Sequence, residues 1–243
     1  MKKLLLILLC VPLIGFGQSS DDNKDQEWKL YKYYNSYLKR ISKDILHNFY
    51  FKSSTKKKEI AITFDDGPLK NTKDILSFLL QNDLPATFFL VTDKLNKDNI
   101  MLYQDSLIEV GMHTHSHLDY SELTKEEKEK DINKCIEIFN KYDLQIKYFR
   151  PAYGIIDKDI SEILNANNLE GIIWSLDSHD WNGYKGERLI NNIINNIHPG
   201  AIILFHDRID ILDLIKITEE VYLKGFKIVP LSELTKYSSE FPY

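Results

Sequence analysis

Between residues 60 and 229 the chain alternates short apolar runs with longer amphipathic stretches. The runs at 60–64, 86–91, 111–113, 148–150, 171–175, 201–205 and 227–229 favour β-branched and aromatic residues and are short enough to be buried strands. Between them, 72–81, 99–110, 125–141, 158–167, 186–197 and 210–224 repeat apolar residues at three- and four-residue steps and read as helices. Thr124 and Glu127 form a capping-box pair at the start of one of these, and Thr72 is a weaker cap for another. Strand–helix alternation at this spacing implies a parallel sheet. Seven repeats fall one short of the eightfold barrel, so the expected fold is α/β, a distorted (β/α)7-8 TIM-like barrel. Upstream, Trp28, Leu30, Tyr31, Tyr34, Leu38, Ile41 and Ile45 recur at helical steps, and residues 28–51 are expected to form an N-terminal helical extension.

Composition changes this picture at the N-terminus. Lys2 and Lys3, the apolar run at 4–14 and Gly15-Phe16-Gly17 read as a Sec-type signal peptide over residues 1–17. The run is too short to span a bilayer, so the mature chain is expected to carry no transmembrane segment and to be periplasmic or extracellular. Cys10 raises a lipoprotein reading, but Leu9 is bulky where a small residue is wanted. Past residue 17, Cys135 is the only cysteine, so no internal disulfide is expected. The expected divisions are a linker and N-terminal helix at 18–57, the main domain at 58–236 and a tail at 237–243. The net charge of −5 argues against a general nucleic-acid surface.

Candidate chemistry gathers just past the carboxyl ends of the expected strands, the face that carries function in parallel α/β folds. Asp65 and Asp66 end the first run. On a continuing strand they turn to opposite sides, so one can hold a cation while the other moves protons. His113 and His117 are four residues apart and share a face in a helical turn. With Asp66 they make a two-imidazole, one-carboxylate set suited to one divalent ion, zinc or another first-row metal. His115 lies between them and should point away. His47, His179 and His198 have no comparable context.

The segments Thr63-Phe64-Asp65-Asp66-Gly67, His113-Thr114-His115-Ser116-His117, Arg150-Pro151-Ala152-Tyr153, Asp177-Ser178-His179-Asp180-Trp181 and Ile203-Leu204-Phe205-His206-Asp207 occur in this order. Together they resemble the five motifs of the polysaccharide deacetylase family, the NodB-homology domain of carbohydrate esterase family 4, over about residues 58–234. Ala152 stands where many members have a second proline. The resemblance implies that Asp66, His113 and His117 hold a metal ion, zinc with cobalt or nickel as alternatives. It implies that Asp65 is the general base and that Arg150 pairs with it and keeps it ionised and oriented. It further implies that the Tyr153 N–H stabilises the oxyanion, that Asp180 orients the general acid His206, and that Leu204 and Trp181 line the acetyl pocket. The expected function is N-deacetylation of N-acetylglucosamine-containing polysaccharide or oligosaccharide. The same machinery also suits an O-acetyl esterase acting on acetylated xylan. A silent carbohydrate-binding homologue should lack a ligand, the base or the acid, and none is missing. A metal phosphoesterase should show more carboxylates for a second ion.

Overall fold

The computed structural model describes residue 45 and residues 47–240. The expected signal peptide, the spacer after it, residues 28–44 and 46 of the expected 28–51 helix and residues 241–243 lie outside the described residues.

The apolar run that opens the domain becomes β3 (Glu59–Gly67), buried on both faces from Ile60 onward. That is the burial of a central strand covered on each side by helices. One edge of β3 pairs with β9 (Ile202–His206), from Ala61 opposite Ile202 to Asp65 opposite His206. The other edge takes β10 (Lys227–Ile228) at its base and β4 (Ala86–Leu90) above it. With β1 (Phe49–Tyr50), β5 (Ile108–Met112), β6 (Tyr148–Phe149), β7 (Glu170–Ile172) and β8 (Leu176–Asp177), the sheet runs β1-β7-β6-β5-β4-β3-β9-β8. Its ladders are parallel. The sheet curls into the distorted barrel that the strand count predicts. A short link explains the curl: Ile172 in β7 and Leu176 in β8 are four residues apart, at most about 14 Å of chain, yet β8 lies at the far end of the strand order. On the face of β3 opposite Thr63, Phe64 stacks on Phe88 at 4.8 Å and on Phe205 at 5.7 Å between ring centres.

The helices are α1 (Thr72–Gln81), α2 (Lys97–Ile100), α3 (Lys125–Lys141), α4 (Lys158–Ala166), α5 (Glu187–Asn196), α6 (Ile211–Leu223) and α7 (Leu231–Leu234). The Thr124–Glu127 capping box is present at α3. At α1 the cap position belongs to Asn71, and the Thr72 hydroxyl turns instead to the Asp207 carboxyl. Among the described residues no helix is long and apolar enough to cross a membrane.

Four expectations need correction. The helix expected at 99–110 is α2, a 3-10 turn at Met101–Tyr103 and then β5. Asp105 accepts the Leu107 N–H at 2.9 Å, and this turn ends the helical path before Ile108, Glu109 and Val110 enter the sheet. The run at 171–175 is not one strand: residues 171 and 172 belong to β7, and 173–175 are the link that precedes β8. The helix expected to reach residue 51 gives way to β1, paired with β7, and then to β2 (Lys52–Ser53). The sheets therefore extend past both expected domain limits, because β2 pairs antiparallel with β11 (Ser239–Glu240).

Gly171 is where β1 meets β7. A Cβ there would lie 2.3 Å from Cδ1 of Phe49. Gly171→Ala should therefore destabilise the domain by about 1–3 kcal/mol through overpacking. Urea unfolding checks this, and an unchanged midpoint would mean that Phe49 is not seated on β7.

Candidate active site

The end of β3 is irregular. Its register with β4 shifts between Phe64 and Gly67, and Asp66 adopts a left-handed φ of 72°. An irregularity of this kind re-aims side chains. Asp65 and Asp66 are both buried and converge instead of diverging: His113 Nε2 lies 3.7 Å from Asp65 Oδ2 and 3.6 Å from Asp66 Oδ1. The expectation of opposite directions fails because a regular pleat does not continue through Asp66. Gly67 follows, where a Cβ would stand 2.3 Å from Asp207 Oδ2, so this turn needs glycine.

His113 and His117 are joined by a loop and not by the helical turn expected from their spacing. Thr114 and His117 have φ of 66° and 54°. The loop is held by the His117 N–H to Thr114 Oγ1 (2.9 Å) and the His115 N–H to Asp131 Oδ2 (2.8 Å). Asp131 Oδ2 also accepts from the Tyr120 hydroxyl at 2.7 Å. His117 Nε2 comes to 3.0 Å from Asp66 Oδ1. Asp66, His113 and His117 thus offer one ligand atom each, all within 4.8 Å of one another. His115 turns away, its Nδ1 2.9 Å from Thr92 Oγ1.

The donor set fits a divalent ion. Asp66 Oδ1 is buried and has no well-directed hydrogen bond among the described residues. His113 Nδ1 lies 2.9 Å from the Arg150 carbonyl, so its N–H donates there and the Nε2 lone pair faces Asp66. Burial lowers the His113 pKa and favours this neutral ring. Burial opposes ionisation of Asp66, but the His117 side chain beside it counters this and the carboxyl stays well below its usual range. Two imidazole nitrogens and one carboxylate oxygen leave further positions for water or substrate.

Two flanking pairs complete the site. Arg150, fully buried just past β6, donates from Nη1 to Asp65 Oδ1 and to Thr63 Oγ1, both at 2.8 Å. Its Nε and Nη2 reach the carbonyls of Ile172 (3.2 Å) and Ile173 (3.1 Å). On the other flank, His206 Nδ1 lies 2.7 Å from Asp180 Oδ1, and the His206 main-chain N–H donates to Asp180 Oδ2 at 2.8 Å. Asp180 also accepts from the Ser178 hydroxyl and the Trp181 N–H. Burial pulls the His206 pKa down, but the Asp180 hydrogen bond and charge, helped by Asp65 and Asp66, raise it overall. Tyr153, at φ 59°, sets its exposed ring 4.7 Å from that of His117. Trp181 is exposed, with its indole N–H on Asp177. Leu204 is buried in β9 between Thr63 and Asp177.

Sequence reasoning missed three residues around this centre, Asp131, Lys94 and Arg208, and gave no role to a fourth, Asp207, which it read within a motif. Asp131 holds the histidine loop. Asp207 ties the β3 turn to β9 through the Thr72 hydroxyl, and burial pushes its carboxyl up to about 7. Lys94 donates to the Asp66 carbonyl at 2.7 Å, and Arg208 Nη2 pairs with Asp66 Oδ2. Arg208 had a signal, as one of four arginines in the chain and the residue directly after a motif. Lys94 had none.

Fold and site together place a candidate metal-binding cluster, flanked by the Arg150–Asp65 and Asp180–His206 pairs, at the carboxyl end of a parallel barrel. The model of the polysaccharide deacetylase family matches residues 52–172. A peptidoglycan-N-acetylglucosamine deacetylase from Bacillus cereus is 33% identical over 203 residues, covering 78% of this chain and 73% of that protein. The crystal structure of the Bc1960 peptidoglycan N-acetylglucosamine deacetylase superposes with a TM-score of 0.73 at 32% identity, covering 80% of this chain and 96% of that one. A CE4 family pseudoenzyme from Bacillus anthracis shares the fold, with a TM-score of 0.71 at 24% identity, covering 76% of this chain and 68% of that one. The chain belongs to the polysaccharide deacetylase family.

Asp180→Asn removes the charge that holds the His206 proton while leaving the ring buried. The pH at which His206 deprotonates should therefore fall. Histidine-ring NMR across a pH series checks this, and an unmoved His206 titration would show that Asp180 does not control that proton.

Proposed function

We propose that this protein is an exported, metal-dependent N-deacetylase that releases acetate from N-acetylglucosamine residues of peptidoglycan or a chitin-like glycan. One observation carries the reading. A single Asp66–His113–His117 cluster has Asp65 with Arg150 on one side and His206 with Asp180 on the other. Keeping every one of these groups also supports an active enzyme over a silent homologue. The substrate class rests on the relatives, of which two act on peptidoglycan by name. Export rests on the basic and apolar pattern of residues 1–17.

Asp66, His113 and His117 would hold one divalent ion, zinc by donor type, with cobalt or nickel as substitutes. Bound there, the ion polarises the scissile carbonyl and acidifies the attacking water. Asp65, oriented by Arg150, takes the proton from that water as its oxygen bonds to the acetyl carbon. The Tyr153 N–H donates to the oxygen that becomes negative; a donor of this kind is typically worth about 3 kcal/mol. His206, with Nδ1 committed to Asp180, turns Nε2 to the site and protonates the sugar nitrogen as the carbon–nitrogen bond breaks. Acetate and a free amine leave. Leu204 and Trp181 bound the acetyl methyl, and the exposed rings of Tyr153 and Trp181 offer faces to the sugar.

Acetate release should be measured on peptidoglycan, chitin oligomers and acetylxylan. The N-acetylated glycans should yield acetate, and a chelator should abolish the yield until zinc is returned. Asp65→Asn should lower kcat by about 10²–10⁴-fold. Full activity in that variant removes the base, and release from acetylxylan alone makes the protein an esterase. Because the acid must be protonated, kcat should fall as pH rises through the raised His206 pKa. Asp180→Asn should move this alkaline limb to lower pH.

A further inference from the structure

The geometry points to Lys94 and Arg208 as a two-cation clamp that orients Asp66 for metal binding. The inference rests on the proposed role of Asp66 as a ligand. Asp66 has three oxygens. Its main-chain carbonyl accepts from Lys94 Nζ at 2.7 Å, and its Oδ2 pairs with Arg208 Nη2. Its Oδ1 faces His113 Nε2 at 3.6 Å and His117 Nε2 at 3.0 Å, with no well-directed hydrogen bond among the described residues. The two cations therefore hold both of the oxygens that Asp66 does not turn to the imidazoles.

Such a clamp answers two needs of this residue. A carboxylate rotates about a broad, roughly two-fold torsion, so nothing intrinsic to Asp66 decides which oxygen faces the histidines. A guanidinium on Oδ2 decides it. The backbone at Asp66 is left-handed, a conformation that persists only where the surroundings over-determine it. An ammonium on its carbonyl fixes the peptide plane. Both cations are themselves anchored. Lys94 ends the 3-10 turn Thr92–Lys94 beyond β4, donates its N–H to Val91 and accepts from Asn99 Nδ2 at 2.9 Å. Arg208 follows β9, and the Asn71 side chain donates to the Arg208 and Ile209 carbonyls. Their side chains reach Asp66 from the strands on either side of β3. Hydrogen bonding to the ligands themselves is a general means of orienting a metal site.

Charge and orientation predict opposite signs, which makes the inference testable. Positive groups beside a cation repel it, so if charge alone mattered, removing either one would tighten metal binding. If they orient Asp66, removing either one loosens it. Zinc dissociation constants should be measured by calorimetry on chelator-stripped protein, with circular dichroism to confirm folding. Arg208 is half-exposed and Lys94 is exposed, so both positions tolerate replacement. Arg208→Ala is expected to weaken zinc binding by about 10–100-fold. Lys94→Met should weaken it in the same direction, and Arg208→Lys should recover part of the loss. Lys97→Met, a nearby exposed lysine, should change nothing. Affinity that is unchanged or tighter in Arg208→Ala or in Lys94→Met overturns the assignment of that residue. An equal loss in Lys97→Met makes the effect one of general charge and overturns the clamp. Wild-type protein that takes up no zinc overturns the metal reading as well, an outcome distinct from a clamp that fails while wild type binds.

Discussion

The structure turns on the buried pair of Arg150 and Asp65. One guanidinium, with no exposure to solvent, reaches Thr63 and Asp65 on β3 and the carbonyls of Ile172 and Ile173 at the end of β7. It lies 4.0 Å over the ring of Phe89 on β4. Its own backbone accepts from His113 and donates to Met112 on β5. Burying two ions costs several kcal/mol each, and their attraction repays this only when every remaining polar group is satisfied. A well-packed apolar pair at these positions is in general no less stable. The pair therefore makes sense as a device for position. It fixes where an acid sits relative to an imidazole whose own orientation depends on the same arginine's carbonyl.

Around that pair the backbone departs from easy conformations. Non-glycine residues with positive φ fall into two groups. Asp83, Asp143 and Asn168 follow the ends of α1, α3 and α4, where a left-handed residue commonly closes a helix. Asp66, Thr114, His117, Tyr153 and His179 all lie at the face that carries the candidate site. Each such residue costs of order 1–3 kcal/mol unless local hydrogen bonds compensate. The Asp131 carboxyl, the Thr114 hydroxyl and the Lys94 ammonium supply those bonds at this face. The network beneath the histidine loop is thus part of what shapes the site.

This division also explains what could be read from the sequence. Strand cores such as Ile60–Phe64 were legible because burial on both faces leaves a continuous apolar run, and the α3 cap because its two partners sit three residues apart. The five motifs were legible for the same reason: their residues lie close together in sequence at strand ends. The regular periodicities failed where single turns decide the path, as at Asp105, which diverts an expected helix into β5. They failed again at 171–175, where an apolar run ends one strand at Ile172 and then links it to the next. In the site, the histidine spacing was legible, whereas the left-handed loop joining them was not. Asp131 and Lys94 stayed hidden because each acts on a partner fixed by the tertiary path and not by a neighbour in sequence, and the signal at Arg208 did not reveal its partner for the same reason.

The sheet itself does not separate the proposed base from the proposed acid. Asp65 and His206 are register partners on adjacent parallel strands, and at that spacing an acid and an imidazole tend to pair and to share a proton. Each is instead committed elsewhere. Arg150 draws Asp65 toward β6 and β7, and Asp180, in the turn beyond β8, takes His206 Nδ1. The two anchors come from opposite directions along the strand order. Asp207, next to His206, gives its N–H to the Asp65 carbonyl and keeps the two strand ends in register while their side chains part. Proton acceptor and proton donor can then serve opposite ends of one bond because each has a private counter-charge. Environments that push paired titratable groups apart are the general condition for such a division of roles.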